Sequence, residues 1–387
     1  MMEKIELPNT GVKFRVDYIN NDRAYPGLNI TGITLSVRRQ TEQYTTPIPT
    51  IGNDTEYLNA TAQLRTTLKP AIGELSATDD ATRKCSNHKA DTFTITKDRS
   101  EIIAMISQKS INNITKRKQP RKLIVGMTFD CEEWLLEIKL NEIGDVVDHF
   151  IIVEGRFTFQ NDERLQCFPL IIKSNEQISK WHDKIIYVYD TEPIASFEYW
   201  EAEVHYRNTI GLKGLEGIQT SDDDLVIVTD MDELPHPNFL WVLKWYDGFK
   251  EAINISFLWS YYSFKWVNTR PWNTNAILSM RELRLINNQT NRIRFDMAGQ
   301  QGWTTSDMIV GWHCSWCLPT HVFVDKLSHF AHRELNQEKF KNIEWLESMR
   351  TQGLWFPDSA PNGCIQSHLQ LPDYVQANAH KFEKLWK

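Results

Sequence analysis

The run Asp230-Met231-Asp232-Glu233-Leu234-Pro235 follows directly on Leu225-Val226-Ile227-Val228-Thr229. Four consecutive leucyl or β-branched residues read as a strand buried on both faces. The acids therefore fall at a strand's carboxyl end, where open α/β sheets bind their ligands. Two carboxylates there suit Mg2+ or Mn2+ better than Zn2+ and leave coordination positions for phosphate oxygens. The blander reading is a solvated turn whose acids sit at the start of the helix expected next. The wholly apolar strand before them favours the metal. On this reading Asp232 is a ligand, Asp230 joins it or holds the ribose, and the ion neutralises a departing diphosphate.

Three further groups of residues belong with the acids. Gly311-Trp312-His313-Cys314-Ser315-Trp316-Cys317 has a Cys-x-x-Cys beside a histidine, but no second Cys or His pair completes a closed zinc site. A disulfide within the loop stays open, and His313 is a candidate for the same metal or for the diphosphate. Trp200, Glu203, Arg207 and Asn208 fall on one helical face; Arg207 is a candidate for holding a phosphate or fixing the acids, with a plain Glu-Arg helix pair as the alternative. Phe257 to Trp266 carries Trp259, Tyr261 and Trp266. These, with Trp312 and Trp316, are candidates for stacking on sugar rings, although a strand with aromatics on both faces is more often core. Ser328 to Asn336 gathers His332 and Glu334 without declaring a role.

The elements that must position these residues begin near Leu123. A strand at 123–125, a helix at 133–141, strands at 150–154 and 184–189, a helix at 201–212 and the strand ending at Asp230 alternate as parallel βαβ units do. Before them, residues 1–115 are rich in Thr and Asn and hold none of the 14 tryptophans. Strands at 12–16, 33–37 and 92–96 and a helix at 100–106 are expected there, in a separate module. Lys116 to Lys122 reads as a basic, solvated linker, residues 123–345 as the catalytic domain, and 346–387 as an extension packed on it.

Bulk properties exclude several classes. A net charge of −7 over 387 residues argues against a nucleic-acid binder. No run of about 18 apolar residues predicts a transmembrane helix. The Met1-Met2-Glu3-Lys4 start has no apolar stretch of the signal-peptide kind. A soluble, cytoplasmic protein is expected, with Golgi association as the alternative. Six scattered cysteines do not make a disulfide scaffold.

Phe129-Asp130, the run Leu136-Glu137-Ile138 through Asp148, Phe150-Ile151-Ile152-Val153-Glu154 and Asp230-x-Asp232-Glu233-x-Pro235 together resemble glycosyltransferase family 17, over about residues 121–345. The GWHCSWC string at 311–317 is similar to that of vertebrate members, and Ser328 to Asn336 to that of microbial ones. The resemblance implies a GT-A-like, Rossmann-type α/β fold with a mostly parallel sheet flanked by helices. It implies a UDP-GlcNAc donor, a glycan acceptor, a divalent metal and inversion. Glu154, Arg207, Asn208, Asp230, His313 and His332 become donor-site candidates, and Asp230, Asp232 and His313 metal ligands. Inversion needs a base for the acceptor proton, and Glu233, Asp307 and Glu334 are its candidates. A nucleotidyltransferase or a glycan-binding protein on a degenerate transferase fold are the alternatives. The missing Gly-rich phosphate loop counts against the first and the intact acid pair against the second.

Overall fold

A computed structural model of the protein describes residues 3–6, 13–16, 93–109, 113–194, 200–249, 252–295, 308–357, 363–365 and 368–386. The chain forms two units that divide at Asp79/Asp80. In the first, strands Glu3–Glu6 (β1) and Lys13–Val16 (β2) pair antiparallel, with Glu3 opposite Val16. The strand expected at 33–37 lies outside the described residues.

The second unit opens with helix α1 (Arg99–Lys109) and strands β3 (Thr115–Lys116) and β4 (Leu123–Thr128). Then come α2 (Glu133–Ile143), β5 (His149–Gly155), α3 (Phe168–Ser174), β6 (Ile185–Asp190), α4 (Glu201–Leu212) and β7 (Leu225–Val228). The remainder is β8 (Glu233–Pro235), α5 (Pro237–Trp245), β9 (Tyr246–Asp247), β10 (Ile253–Tyr261), β11 (Trp266–Asn268) and β12 (Trp272–Ser279). They are followed by α6 (Met280–Leu285), α7 (Asn291–Phe295), β13 (Gly311–Ser315), α8 (Thr320–Lys326), α9 (Ile343–Gln352), β14 (Gly363–Ile365) and α10 (Asp373–Ala377).

A ten-stranded sheet runs β14-β11-β10-β12-β7-β4-β5-β6, with β13 joined to β10 and β8 to β13. The expected α/β class, with a parallel Rossmann-type block flanked by helices, holds with one refinement. The parallel part is the block β6-β5-β4-β7, and beyond β7 the strands mix directions through antiparallel β12 and β10. Within the block, alternate side chains enter different cores. Leu123, Val125 and Met127 face α2 and its Leu136, Ile138 and Leu140, whereas Ile124, Val226 and Val228 face Tyr206 and Ile210 of α4. Both faces are covered, which is why these strands are continuous apolar runs. Helix α4 lies close on the sheet because β4 carries Gly126 where a Cβ would stand 2.1 Å from Ile210 Cγ2.

Two expectations about organisation change. The basic string 116–122 is solvated only in part: Lys116, Lys118, Gln119 and Pro120 are exposed, but the two arginines are held in the fold. Lys116 pairs with Tyr246 in the β3–β9 ladder, Arg117 binds Asp223 and Asp247, and Arg121 binds Asp247 and is buried. Carboxylates lie within reach of each guanidinium, so the charges are spent on packing. Residues 93–109 also belong to the second unit. Ile95 bridges Ile309, and Ile95, Ile102 and Ile106 enter the main core. A chain beginning at Asp80 is therefore expected to fold and stay monodisperse, and one beginning at Arg121 to aggregate, since it uncovers the surface these isoleucines bury. Each isoleucine stabilises by about 2–5 kcal/mol. Size-exclusion chromatography of the two chains checks this, and equal behaviour contradicts it.

Candidate active site

Leu234 does not continue into a helix. Pro235 and Pro237 delay α5, and Glu233–Pro235 pairs instead as strand β8 with β13, Leu234 opposite Trp312 and Glu233 opposite His313. Cys314 N–H donates to the Asp232 carbonyl at 3.0 Å. This register brings His313, some eighty residues away in sequence, against the acids, and places it on a strand rather than a loop. Its Nε2 lies 3.3 Å from Asp232 Oδ2 and 3.1 Å from Ser315 Oγ, while Nδ1 is buried without a partner. Trp259 stacks nearly parallel to the imidazole and Trp272 meets it edge-on.

The two aspartates differ in kind. Both oxygens of Asp230 are held by guanidinium groups. Arg207 Nη2 donates to them at 2.7 and 2.9 Å, and Arg294 Nη2 donates to Oδ2 at 2.9 Å. Burial pushes the Asp230 carboxyl up, but the two arginines outweigh it and hold it well below the usual carboxylate range. Asp232 has no guanidinium partner, and its side chain is 21% accessible. Burial raises its carboxyl, and His313 more than cancels this. Likewise, burial lowers the His313 imidazole, but Asp232, Glu233 and Asp230 bring it above its ordinary value. Asp232 and His313 bond to each other, and of the two it is Asp232 that keeps partial access to solvent. Two ligands about 2.1 Å from one ion and at right angles stand about 3 Å apart, which the Asp232–His313 separation matches, so this nitrogen–oxygen pair fits a divalent ion. Asp230, expected as a ligand, is committed to the arginines.

Glu233 is fully buried. Its carboxylate accepts from Trp272 Nε1 at 2.8 Å, from Asp230 N–H at 2.9 Å and from Arg294. No oxygen is left for an acceptor proton, so it fails as a base. Glu154 is equally closed, accepting from Cys167 N–H, Phe168 N–H and Tyr187 Oη, and it anchors α3 instead of touching a donor. Asn208 accepts from Asn291 N–H, tying α4 to α7. Asp307 lies outside the described residues. Glu334 is half exposed and binds His332 Nδ1 at 2.6 Å, and the His332 ring meets the exposed Trp200 edge-on. Four of the five aromatic candidates are core, and Trp316 is half-buried. Trp259, Tyr261, Trp266 and Trp312 are buried, Trp312 donates to Gln370 O, and Trp316 stacks on Phe323. Trp259 is covered by Trp272, His313 and Trp355, and Tyr261 by Trp355, which closes the face they project from.

Several residues were not foreseen. Arg294 links Asp230 to Glu233 and sits on α7; the only signal was a basic pair, Arg292 and Arg294, in a polar stretch. Lys139, fully buried on α2, donates to Thr229 Oγ1 at 3.0 Å and to the Asp230 carbonyl at 2.5 Å. Burial lowers it to about 8 despite the nearby acids. Between that pH and its ordinary 10.5 the unfolded chain keeps a proton that the folded chain has lost, so stability rises with pH across the window. Lys139→Met is expected to remove this rise, which amounts to roughly 3 kcal/mol. Urea melts of both proteins at pH 7.5, 9 and 10 check it; parallel curves contradict it.

At the carboxyl ends of β4 and β5 a small cleft, with a cavity of about 10 Å3, is lined by Thr128, Asp130, Gly155, Phe159, Arg164 and Tyr206. Arg164 binds Asp130 Oδ1 and the Phe129 carbonyl, and Asp130 Oδ2 is buried without a partner. A disulfide between Cys131 and Cys167 ties the Asp130 loop to the segment carrying Arg164, and a second joins Cys314 to Cys317. The first was not expected; the second removes zinc from that pair. Asp190, Glu192 and His205 also converge, but Lys213 neutralises both carboxylates. Among the described residues no helix is long and apolar enough to cross a membrane.

Over residues 79–386 the sequence matches the profile of glycosyltransferase family 17. Curated relatives include the β-1,4-mannosyl-glycoprotein 4-β-N-acetylglucosaminyltransferases of Rattus norvegicus, 24% identical over 308 residues, and Homo sapiens, 23% identical over 308 residues. Each alignment covers 70% of this chain and 56% of the relative, so the chain spans little more than half the length of the curated relatives it matches. Among solved structures, glucosyl-3-phosphoglycerate synthase from Mycobacterium tuberculosis, in complex with Mn2+, UDP and phosphoglyceric acid, is 14% identical over 44% of this chain and 49% of that one, with a TM-score of 0.21.

Proposed function

The chain belongs to glycosyltransferase family 17, and we propose that it transfers N-acetylglucosamine from UDP-GlcNAc to a glycan hydroxyl with inversion, using a divalent ion. The observation that carries this reading is the Asp232–His313 pair, set just past the end of β7, where the strand order reverses between β4 and β7. Ligands bind at such a point in open α/β sheets. In the cleft, Asp130 Oδ2 is a buried acceptor without a donor, suited to a base N–H such as that of uracil.

Asp232 and His313 would hold the ion. When bound, it supplies positive charge against the diphosphate leaving group. Arg207, Arg294 and Lys139 do not reach the substrate on this reading; they hold the turn 229–233 rigid, so that Asp232 meets the donor already in place. In an inverting displacement the acceptor oxygen bonds to the anomeric carbon as the bond to the diphosphate oxygen breaks. A carboxylate takes the acceptor proton. With Glu233 saturated, that role falls to Glu334 or Asp307. Replacing the true base by its amide is expected to lower turnover about 100- to 10,000-fold with UDP affinity unchanged, and the other amide to cost little. Turnover of Glu334→Gln and Asp307→Asn decides between them; full activity in both contradicts this pair.

The disulfides Cys131–Cys167 and Cys314–Cys317 favour folding in an oxidising compartment, against the cytoplasmic setting expected from composition. The reading as a whole is tested by incubating the protein with UDP-GlcNAc, Mn2+ and a panel of β-mannose-containing and other glycans. It predicts a product one N-acetylhexosamine heavier in mass. Transfer from a different nucleotide sugar, or only of a nucleotidyl group, would contradict it.

A further inference from the structure

A nucleotide sugar lying across this site must place its diphosphate between the cleft that receives the base and the Asp232–His313 pair. Two cations stand near this path among the described residues: Arg164, which is committed to Asp130 and the Phe129 carbonyl, and Lys326. Lys326, the last residue of α8, binds Glu132 Oε1 at 2.7 Å, and Glu132 Oε2 accepts from Asp130 N–H at 2.8 Å. Asp130 lines the cleft. At the other end, the charges of Glu132 and Asp232 outweigh the effect of burial and keep the Lys326 ammonium firmly protonated. The lysine thus stands one carboxylate away from Asp130 at the cleft and within the electrostatic reach of Asp232.

The neighbouring cations differ from it. Both oxygens of Asp230 occupy Arg207 and Arg294, and Lys139 is closed over Thr229 and the Asp230 carbonyl. Lys326 has three N–H donors, and Glu132 is its one hydrogen-bond partner among the described residues. Its side chain is 22% accessible against 5% for Glu132, so the carboxylate is the more deeply covered partner. An ammonium is a point charge able to follow phosphate oxygens without the fixed fork of a guanidinium.

We propose that Lys326 is the protein's own diphosphate-binding cation, positioned by Glu132, and that it contacts the phosphates of a nucleoside diphosphate. This rests on reading the cleft as a nucleotide-sugar site. The alternative is that Lys326 serves only as counter-ion to Glu132.

The test compares binding of UDP, UMP and uridine by calorimetry at fixed Mn2+ for the full chain, Lys326→Arg, Lys326→Met and the double change Glu132→Gln with Lys326→Met. The double change leaves no buried charge unpaired and keeps an acceptor for Asp130 N–H, so it stays folded even where Lys326→Met does not. Both Met variants are expected to lose about ten- to a hundredfold in UDP affinity, with uridine affinity within about twofold; Lys326→Arg keeps most of the UDP affinity. If the double variant binds UDP as tightly as the unaltered chain, Lys326 is only a counter-ion and the assignment falls while the nucleotide reading stands. If the unaltered chain binds no UDP, the nucleotide reading falls and the assignment with it.

Discussion

Asp232→Asn is expected to lower glycosyl transfer by about a thousandfold or more, because it removes the anionic ligand from a site that must offset a departing diphosphate. The fold should survive. The Asp232 side chain is 21% accessible, with His313 as its charged neighbour. Its backbone carbonyl, which binds Cys314 N–H, is untouched. Melting temperature should therefore stay close to that of the unaltered protein while Mn2+ affinity falls. His313→Ala is expected to act on the same two quantities, weakening Mn2+ and UDP binding together. Near-normal turnover of Asp232→Asn with Mn2+ would show that the ion, if used, sits elsewhere.

The second large effect has the opposite character. Arg294→Met should unfold the site before it affects chemistry. Arg294 binds Asp230 and Glu233 at once, and Glu233 is fully buried. Removing it strands a carboxylate in the core, which costs about 3–5 kcal/mol. For a unit of this size that is a fall in melting temperature on the order of 10 °C. Lys in its place restores charge but not the two-pronged contact, so Arg294→Lys should lie between. A Met variant that melts with the unaltered protein would mean that Arg207, Lys139 and Trp272 suffice to hold the acids.

The contrast between these residues also marks what could be read in the chain. The parallel block was legible because β4, β5 and β7 are buried on both faces, so their apolar runs admit few alternatives. Helix 201–212 was legible from its spacing. His313 was legible as a partner for the acids because few residue types serve both metal and diphosphate. Its mechanism of approach was not, since pairing of Leu234 with Trp312 is a tertiary contact with no local signal. The same limit hid Arg294, whose partners lie some sixty residues back in the sequence. It also hid the packing of Arg117 and Arg121 against Asp223 and Asp247. Aromatic residues misled in a simpler way. Trp259 and Tyr261 could face a cleft or a core, and only packing of the distant Trp355 over them decides for core. Glu154 and Glu233 misled because an acid at a strand end looks available until its hydrogen bonds are counted.

The most direct test of the Asp232–His313 site is release of UDP from UDP-GlcNAc without acceptor, followed for the unaltered chain and Asp232→Asn with Mn2+ or with EDTA. A metal-dependent glycosyltransferase should show slow hydrolysis that requires Mn2+ and disappears in Asp232→Asn. Hydrolysis that is equal in EDTA, or unchanged by Asp232→Asn, would contradict the assignment of this pair as the metal site.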